Sequence, residues 1–154
     1  MTSHYLTPWR VLVTGSRDFA DAEMVHTALR HQADLFAGMV IVVGDCKSGA
    51  DRFAREFRSN PPPEVHRANW RMFKRAAGPL RNKEMVESNI DICLAFFKSD
   101  SANIGTQNCV NLAKAKGIPV VEFTEGRAGV VGPGSTLVTV PPPAGRARPS
   151  TPSP

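Results

Sequence analysis

Two hydrophobic periods alternate along this chain, and that alternation constrains its fold more than any other feature. Short apolar runs rich in β-branched residues are separated by segments whose apolar residues recur at helical spacing. The first run, Arg10-Val11-Leu12-Val13-Thr14, ends in Gly15, and Ala22, Val25, Leu29 and Phe36 follow at helix spacing. Met39–Val43 is a second run, halted by Gly44; Ala50, Phe53, Ala54 and Phe57 mark the next helix face, closed by Pro61-Pro62-Pro63. Glu64–Ala68 reads as a weaker, more polar strand near a sheet edge. A helix is expected from about Gly78 to Ser88, with Pro79 tolerated in its first turn. Ile92–Phe97 is a fourth strand, Gly105–Lys116 a helix ended by Gly117, and Ile118–Phe123 a fifth strand. Unbroken apolar runs joined by helices belong to parallel strands covered on both faces. Right-handed crossovers then give an α/β fold, a Rossmann-like three-layer sandwich with a mainly parallel five-stranded sheet.

The chain has 154 residues, one domain's worth. We divide it into a lead-in over 1–9, the Rossmann-like domain over 10–125 and a tail over 126–154. The tail holds seven of the 13 prolines and five of the 12 glycines, too little apolar surface to offset its ordering entropy. It is expected to be disordered, apart from a brief extended piece at 136–140. It also carries Arg127, Arg146 and Arg148 and no acid, hence +3 of the chain's net +5. The basic balance that first points to nucleic acid is therefore mostly a property of the tail.

Other classes fall away on similar grounds. No apolar run approaches the roughly 18–20 residues of a membrane helix, and Met1–Arg10 lacks the basic-then-apolar order of a secretory signal. Cys46, Cys93 and Cys109 are widely spaced, with no CxxC pair, which argues for a reducing cytoplasm over a disulfide framework or zinc site. The four histidines lack the i, i+4 spacing of a helical metal site, so no metal or other cofactor is implied. Neither a Walker P-loop nor a GxGxxG fingerprint is present, which disfavours a P-loop nucleotidase and an NAD dehydrogenase.

In such a sheet, ligands bind beyond the carboxyl ends of the strands, where strand order reverses. The loops expected there are small and polar: Thr14-Gly15-Ser16-Arg17-Asp18, then Gly44 to Asp51, then Lys98 to Thr106. Glycines admit close approach to the backbone, and helix N-terminal amides favour anions. Each loop alone is more often only a turn; three on one rim point to a phosphate-bearing ligand. The segment after strand three is the most unusual. Arg67, Arg71, Lys74, Arg75, Arg81 and Lys83 lie there with no acid between Glu64 and Glu84, and Trp70, Met72 and Phe73 are interleaved. A base can stack on an aromatic ring while cations pair its phosphate; a solvated loop anchored by Trp70 is the plainer reading. Helical spacing places Arg81, Met85 and Ser88 on one face, with Arg81 near the first turn where a phosphate would meet guanidinium and amides together.

These residues carry a family resemblance. Val11–Phe19, Gly49-Ala50-Asp51-Arg52-Phe53-Ala54, Ala76–Met85 and Gly105-Thr106, in this order over about residues 10–123, resemble the YspA-like (cpYpsA-related) branch of the SLOG superfamily. The resemblance implies a Rossmann-like fold, a nucleotide or nucleotide-derived ligand, and a homodimer. Distant relatives include the LOG-type phosphoribohydrolases, which cleave the N-glycosidic bond of nucleoside 5′-monophosphates, and a DNA-processing protein that acts on single strands. Arg81 and Met85 match the Arg and Met of the LOG helix motif, and Gly105 and Thr106 match its phosphate loop. Ala102-Asn103-Ile104 stands where LOG proteins have paired glycines, and Cys109 where they have the catalytic Glu. Some members of the YspA-like branch place an acid where this chain has Asn108. Without the Glu the LOG mechanism lacks its acid/base group, unless Asp18, Asp45, Asp51 or Asp100 replaces it from a neighbouring loop.

The expected function is binding of a nucleotide-derived phosphorylated ligand at the sheet's C-terminal rim. Thr14, Gly15, Ser16 and Arg17 would line the first loop, and Gly49 and Asp51 the second. Trp70 and Lys74 would cover the ligand, and Arg81, Asn82, Gly105 and Thr106 would hold its phosphate. The alternatives are a hydrolase of the N-glycosidic bond in such ligands, with Asp18, Asp51 and Arg81 as catalytic groups, and a nucleic-acid-associated protein using the basic segment and the tail.

Overall fold

A computed structural model describes residues 7–125. The expected tail, including the extended piece at 136–140, lies outside the described residues, as does most of the lead-in. Five parallel strands, β1 (Arg10–Gly15), β2 (Val40–Gly44), β3 (Glu64–His66), β4 (Ile92–Lys98) and β5 (Val120–Glu125), form one sheet in the order β3-β2-β1-β4-β5. The helices are α1 (Ala22–Leu35), α2 (Gly49–Glu56), α3 (Trp70–Phe73), α4 (Ala77–Val86) and α5 (Ile104–Ala115), and a 3-10 turn at Lys74–Ala76 joins α3 to α4. The α/β, Rossmann-like three-layer reading holds, with every strand pairing parallel.

The two faces divide the strand residues by their period of two. Val11, Val13, Ile41, Val43, Ile92, Leu94 and Phe96 pack beneath α1 and α2 with Val25, Leu29 and Ala54. Leu12, Val40, Val42 and Cys93 face the other way, against Met85, Val86, Cys109 and Ala113 of α4 and α5. Because both faces are covered, the strands read as unbroken apolar runs. Full burial of a side chain such as Phe19 or Phe96 contributes about 2 kcal/mol.

Several boundaries differ from expectation. Trp9, placed in the lead-in, belongs to the core: it stacks on Phe36 with ring centroids 3.9 Å apart and donates to Gln32 Oε1 at 3.0 Å. Strand β5 starts two residues late, because Ile118 closes α5 through a bond to the Ala113 carbonyl and Pro119 has no N–H to donate. Helix α4 ends at Val86, so Ser88 is not on its face; the Ser88 hydroxyl bonds the Met85 carbonyl and its own carbonyl accepts from Arg10 Nε. Strand β3 is the edge strand anticipated, shortened to three residues. It is pinned by Glu64, which pairs with Arg10 at 2.9 Å, and by His66, whose ring nitrogens meet Glu64 and Glu84.

Candidate functional site

The sheet winds outward from β1 in both directions, so its switch point lies between β1 and β4. The loops after β1, β2 and β4 open there onto a cavity of about 1030 Å³, at the upper end of the roughly 300–1,000 Å³ usual for ligand sites. Its walls include Thr14, Gly15, Ser16, Arg17, Asp18, Asp51, Trp70, Arg81, Asn82, Gly105 and Thr106. These residues come from four separate stretches of the sequence.

The first two loops are locked together. A side chain at Gly15 would collide with Ala50 and with the Phe96 carbonyl, so its absence lets α2 reach the end of β1. The Ser16 carbonyl accepts from Phe19 and Ala50 amides, its hydroxyl accepts from the Asp18 amide, and Ser48 donates to the Arg17 carbonyl at 3.0 Å. Gly49 has φ +71° and backs onto the Ser16 and Arg17 backbone, so it joins the loops and does not line the cavity. Lys74 is displaced too. It follows α3 with φ +51° and is exposed away from the lining, while Arg75 lines the wall instead.

Arg81 has a different environment from the one expected. Its guanidinium lies over Gly44, where a Cβ would stand 2.5 Å from Nη1. Nη1 donates to Asp45 Oδ1 at 2.9 Å and Nε to Asn82 Oδ1 at 3.0 Å. Asn82, in turn, donates to the Gly105 carbonyl and to Asn108 Oδ1, tying α4 to the start of α5. The guanidinium thus organises neighbouring side chains as well as facing the cavity.

Asp51 lies in the first turn of α2 and is only 7% exposed. Burial pushes its carboxyl up to about 6, against the opposing pull of Arg81, the Cys46 amide and Arg55; Asp45 adds to the rise. A buried carboxyl in a cavity wall, titrating near neutrality, has the properties of an acid/base group. Asp18 is exposed on the rim.

The third loop leaves a helix N-terminus open to the cavity. Asn103 adopts φ +50° and turns its amide back to the Lys98 and Ser101 carbonyls, leaving α5 without a side-chain cap. The first amides of α5 are then directed at the cavity. Thr106 is 3% exposed, lines the cavity, and its hydroxyl has no hydrogen-bond partner among the described residues. A Cβ at Gly105 would meet nothing within 4 Å, so the backbone is open to close approach.

Beneath this loop Cys109 is fully buried and bonds Thr14 and Cys93, outside the cavity lining. That hydrogen bond and burial hold the Cys93 thiol well above its ordinary range. Among the described residues no cluster of three or more His, Cys, Asp or Glu could hold a metal, and no helix is long and apolar enough to cross a membrane.

Asp45, Lys47 and Arg75 also line the cavity, although the sequence did not mark them as ligand-binding residues. Asp45, which directly follows a buried strand, was marked only as a possible replacement for the missing catalytic Glu. Lys47 and Arg75 carry no local signal beyond charge.

Comparison with known proteins agrees with this architecture. The YspA, cpYpsA-related SLOG family matches residues 9–73. The gene 61 protein of Mycobacterium phage D29 is 41% identical over 121 residues, covering 74% of this chain and 95% of the phage protein. No solved structure matches the chain. On the family match and the extent of the phage relative, the chain belongs to the YspA, cpYpsA-related SLOG family.

Proposed function

We propose that the cavity binds a nucleotide or nucleotide-derived phosphorylated ligand. The observation that carries this reading is the uncapped N-terminus of α5, whose unpartnered Thr106 hydroxyl shares one cavity with the half-exposed indole of Trp70. A phosphate would accept from the α5 amides and Thr106, and a base would stack on Trp70. Membership of the SLOG family supports a nucleotide-related ligand. The free state of all three cysteines supports a reducing, cytoplasmic setting.

Calorimetry against nucleoside phosphates tests the reading. Binding is expected to weaken about tenfold or more in Thr106→Val, because a buried phosphate loses a hydroxyl donor. A variant that binds every ligand as tightly as wild type would remove it.

Asp51 favours a second reading, hydrolysis of an N-glycosidic bond. The bond to the base would break as the base takes a proton from the carboxyl, and water would add to the anomeric carbon while giving a proton back to the carboxylate. Release of free base from nucleoside monophosphates, lost in Asp51→Asn, is the expected result; no turnover across a broad panel leaves binding alone. A nucleic-acid role has weaker support, because Trp70 lines the cavity. It predicts affinity that falls steeply with salt.

A further inference from the structure

Four cations, Arg17, Lys47, Arg75 and Arg81, line the cavity, and they differ in what they already touch. Arg81 is taken up by Asp45 at 2.9 Å and stands over Asp51, so it is not a free cation. Arg75 lines the cavity from the turn between α3 and α4, whereas Arg17 and Lys47 line it from adjoining loops, and neither of these two has an ion pair or a side-chain hydrogen bond among the described residues. Asp18 shares their rim but pairs with neither.

Their backbones are held in place. The Arg17 carbonyl accepts from Ser48, next to Lys47, and Gly49 is pressed against the same stretch. The cations therefore project from a fixed junction of two loops, with only their side chains free to move. Sheet order sets their distance from α5. The β1 loop lies one strand spacing, about 5 Å, from the β4 loop, and the β2 loop two spacings, about 10 Å. An anion seated at Thr106 is thus separate from the Arg17–Lys47 junction, yet a second anion on the same ligand falls within reach of those long side chains.

We infer that the ligand carries two phosphate groups, one at the α5 N-terminus with Thr106 and the second held by Arg17 and Lys47. This rests on the proposed nucleotide-binding reading and narrows it to nucleotides with a second phosphate, either a 5′-diphosphate or a diphosphate-linked sugar. The size of the cavity, about 1030 Å³, accommodates either.

The test is calorimetry on the full chain with a nucleoside 5′-monophosphate, the matching 5′-diphosphate and the diphosphate-linked ribose of the same base. The diphosphates are expected to bind about tenfold tighter or better than the monophosphate, through charge-assisted bonds to the second group. Arg17→Ala/Lys47→Ala should erase that advantage by weakening the diphosphates about tenfold more than the monophosphate, whereas Thr106→Val should weaken all three alike. Preference between the two diphosphates identifies which source the site takes. Equal binding of mono- and diphosphate by wild type would overturn the inference while leaving nucleotide binding intact. Equal losses for both ligands in the double variant would overturn it as well. Failure of all three to bind would overturn the nucleotide reading itself.

Discussion

Arg81 and Asp45, 36 residues apart in sequence, meet at 2.9 Å above Gly44, and that ion pair joins α4 to the loop after β2. Its position beside Asp51 makes it an electrostatic control on the buried carboxyl, since Arg81 is the strongest influence holding Asp51 down against burial. In Arg81→Ala, Asp51 should titrate above about 6. Asp45 would also lose its partner, at a cost of about 2 kcal/mol for a pair that is only partly buried. Carboxyl NMR titration and urea unfolding at pH 8 check both outcomes. An unchanged Asp51 titration would show that the pair does not act on it.

Asp51 gives the fold a pH dependence of defined sign. Its folded value, about 6, lies above the ordinary 3.8, so the folded state binds the proton more tightly than the unfolded chain. The resulting stabilisation is fully present below about pH 4 and is lost as pH rises through about 6. The difference is on the order of 3 kcal/mol. Asp51→Asn should abolish this component, so its stability relative to wild type should rise between pH 4 and pH 7. Denaturant midpoints measured across that window test it; a pH-independent difference would refute it.

Two glycines flanking the same loop should respond by different amounts. At Gly44 an added methyl meets side-chain ends, the Arg81 guanidinium and the Asp51 carboxylate, so Gly44→Ala should cost about 2 kcal/mol by displacing the Arg81–Asp45 pair. At Gly49 the residue has φ +71° and faces the Ser16 and Arg17 backbone, which cannot yield cheaply. Gly49→Ala should cost about 3 kcal/mol or more. Thermal unfolding separates the two; the reverse order would contradict this account of the loop.

The strands were legible because burial on both faces leaves runs such as Val11–Val13 and Ile92–Phe96 with no polar interruption. Helix α3 was not, because residues 69–76 are all exposed and leave no apolar period; it is held instead by Asn69, which accepts from the Met72 amide, and by Trp70 lying over Gly78. At the site, turn chemistry marked the loops after β1 and β4. The Arg81–Asp45 pair was hidden because a contact between distant residues leaves no periodic trace. Gly49 shows the remaining ambiguity: a loop glycine can admit a ligand or, as here, another loop, and only the fold tells these apart.

Trp70 and Trp9 offer an internal comparison for ligand entry. Trp9 is buried against Phe36 on the face covered by α1 and α2, whereas Trp70 is 47% exposed and lines the cavity. A base stacking on Trp70 should change the fluorescence of that indole alone. The response to a nucleotide should therefore survive in Trp9→Phe and vanish in Trp70→Phe. Because Trp70 is about half exposed and packs over Gly78, Trp70→Ala should cost about 1 kcal/mol of folding stability. Its effect on affinity should be at least as large, about 1–3 kcal/mol for one stacked base. Fluorescence titration and calorimetry on the same variants measure both quantities. A full-sized response in Trp70→Phe would place the base elsewhere in the cavity.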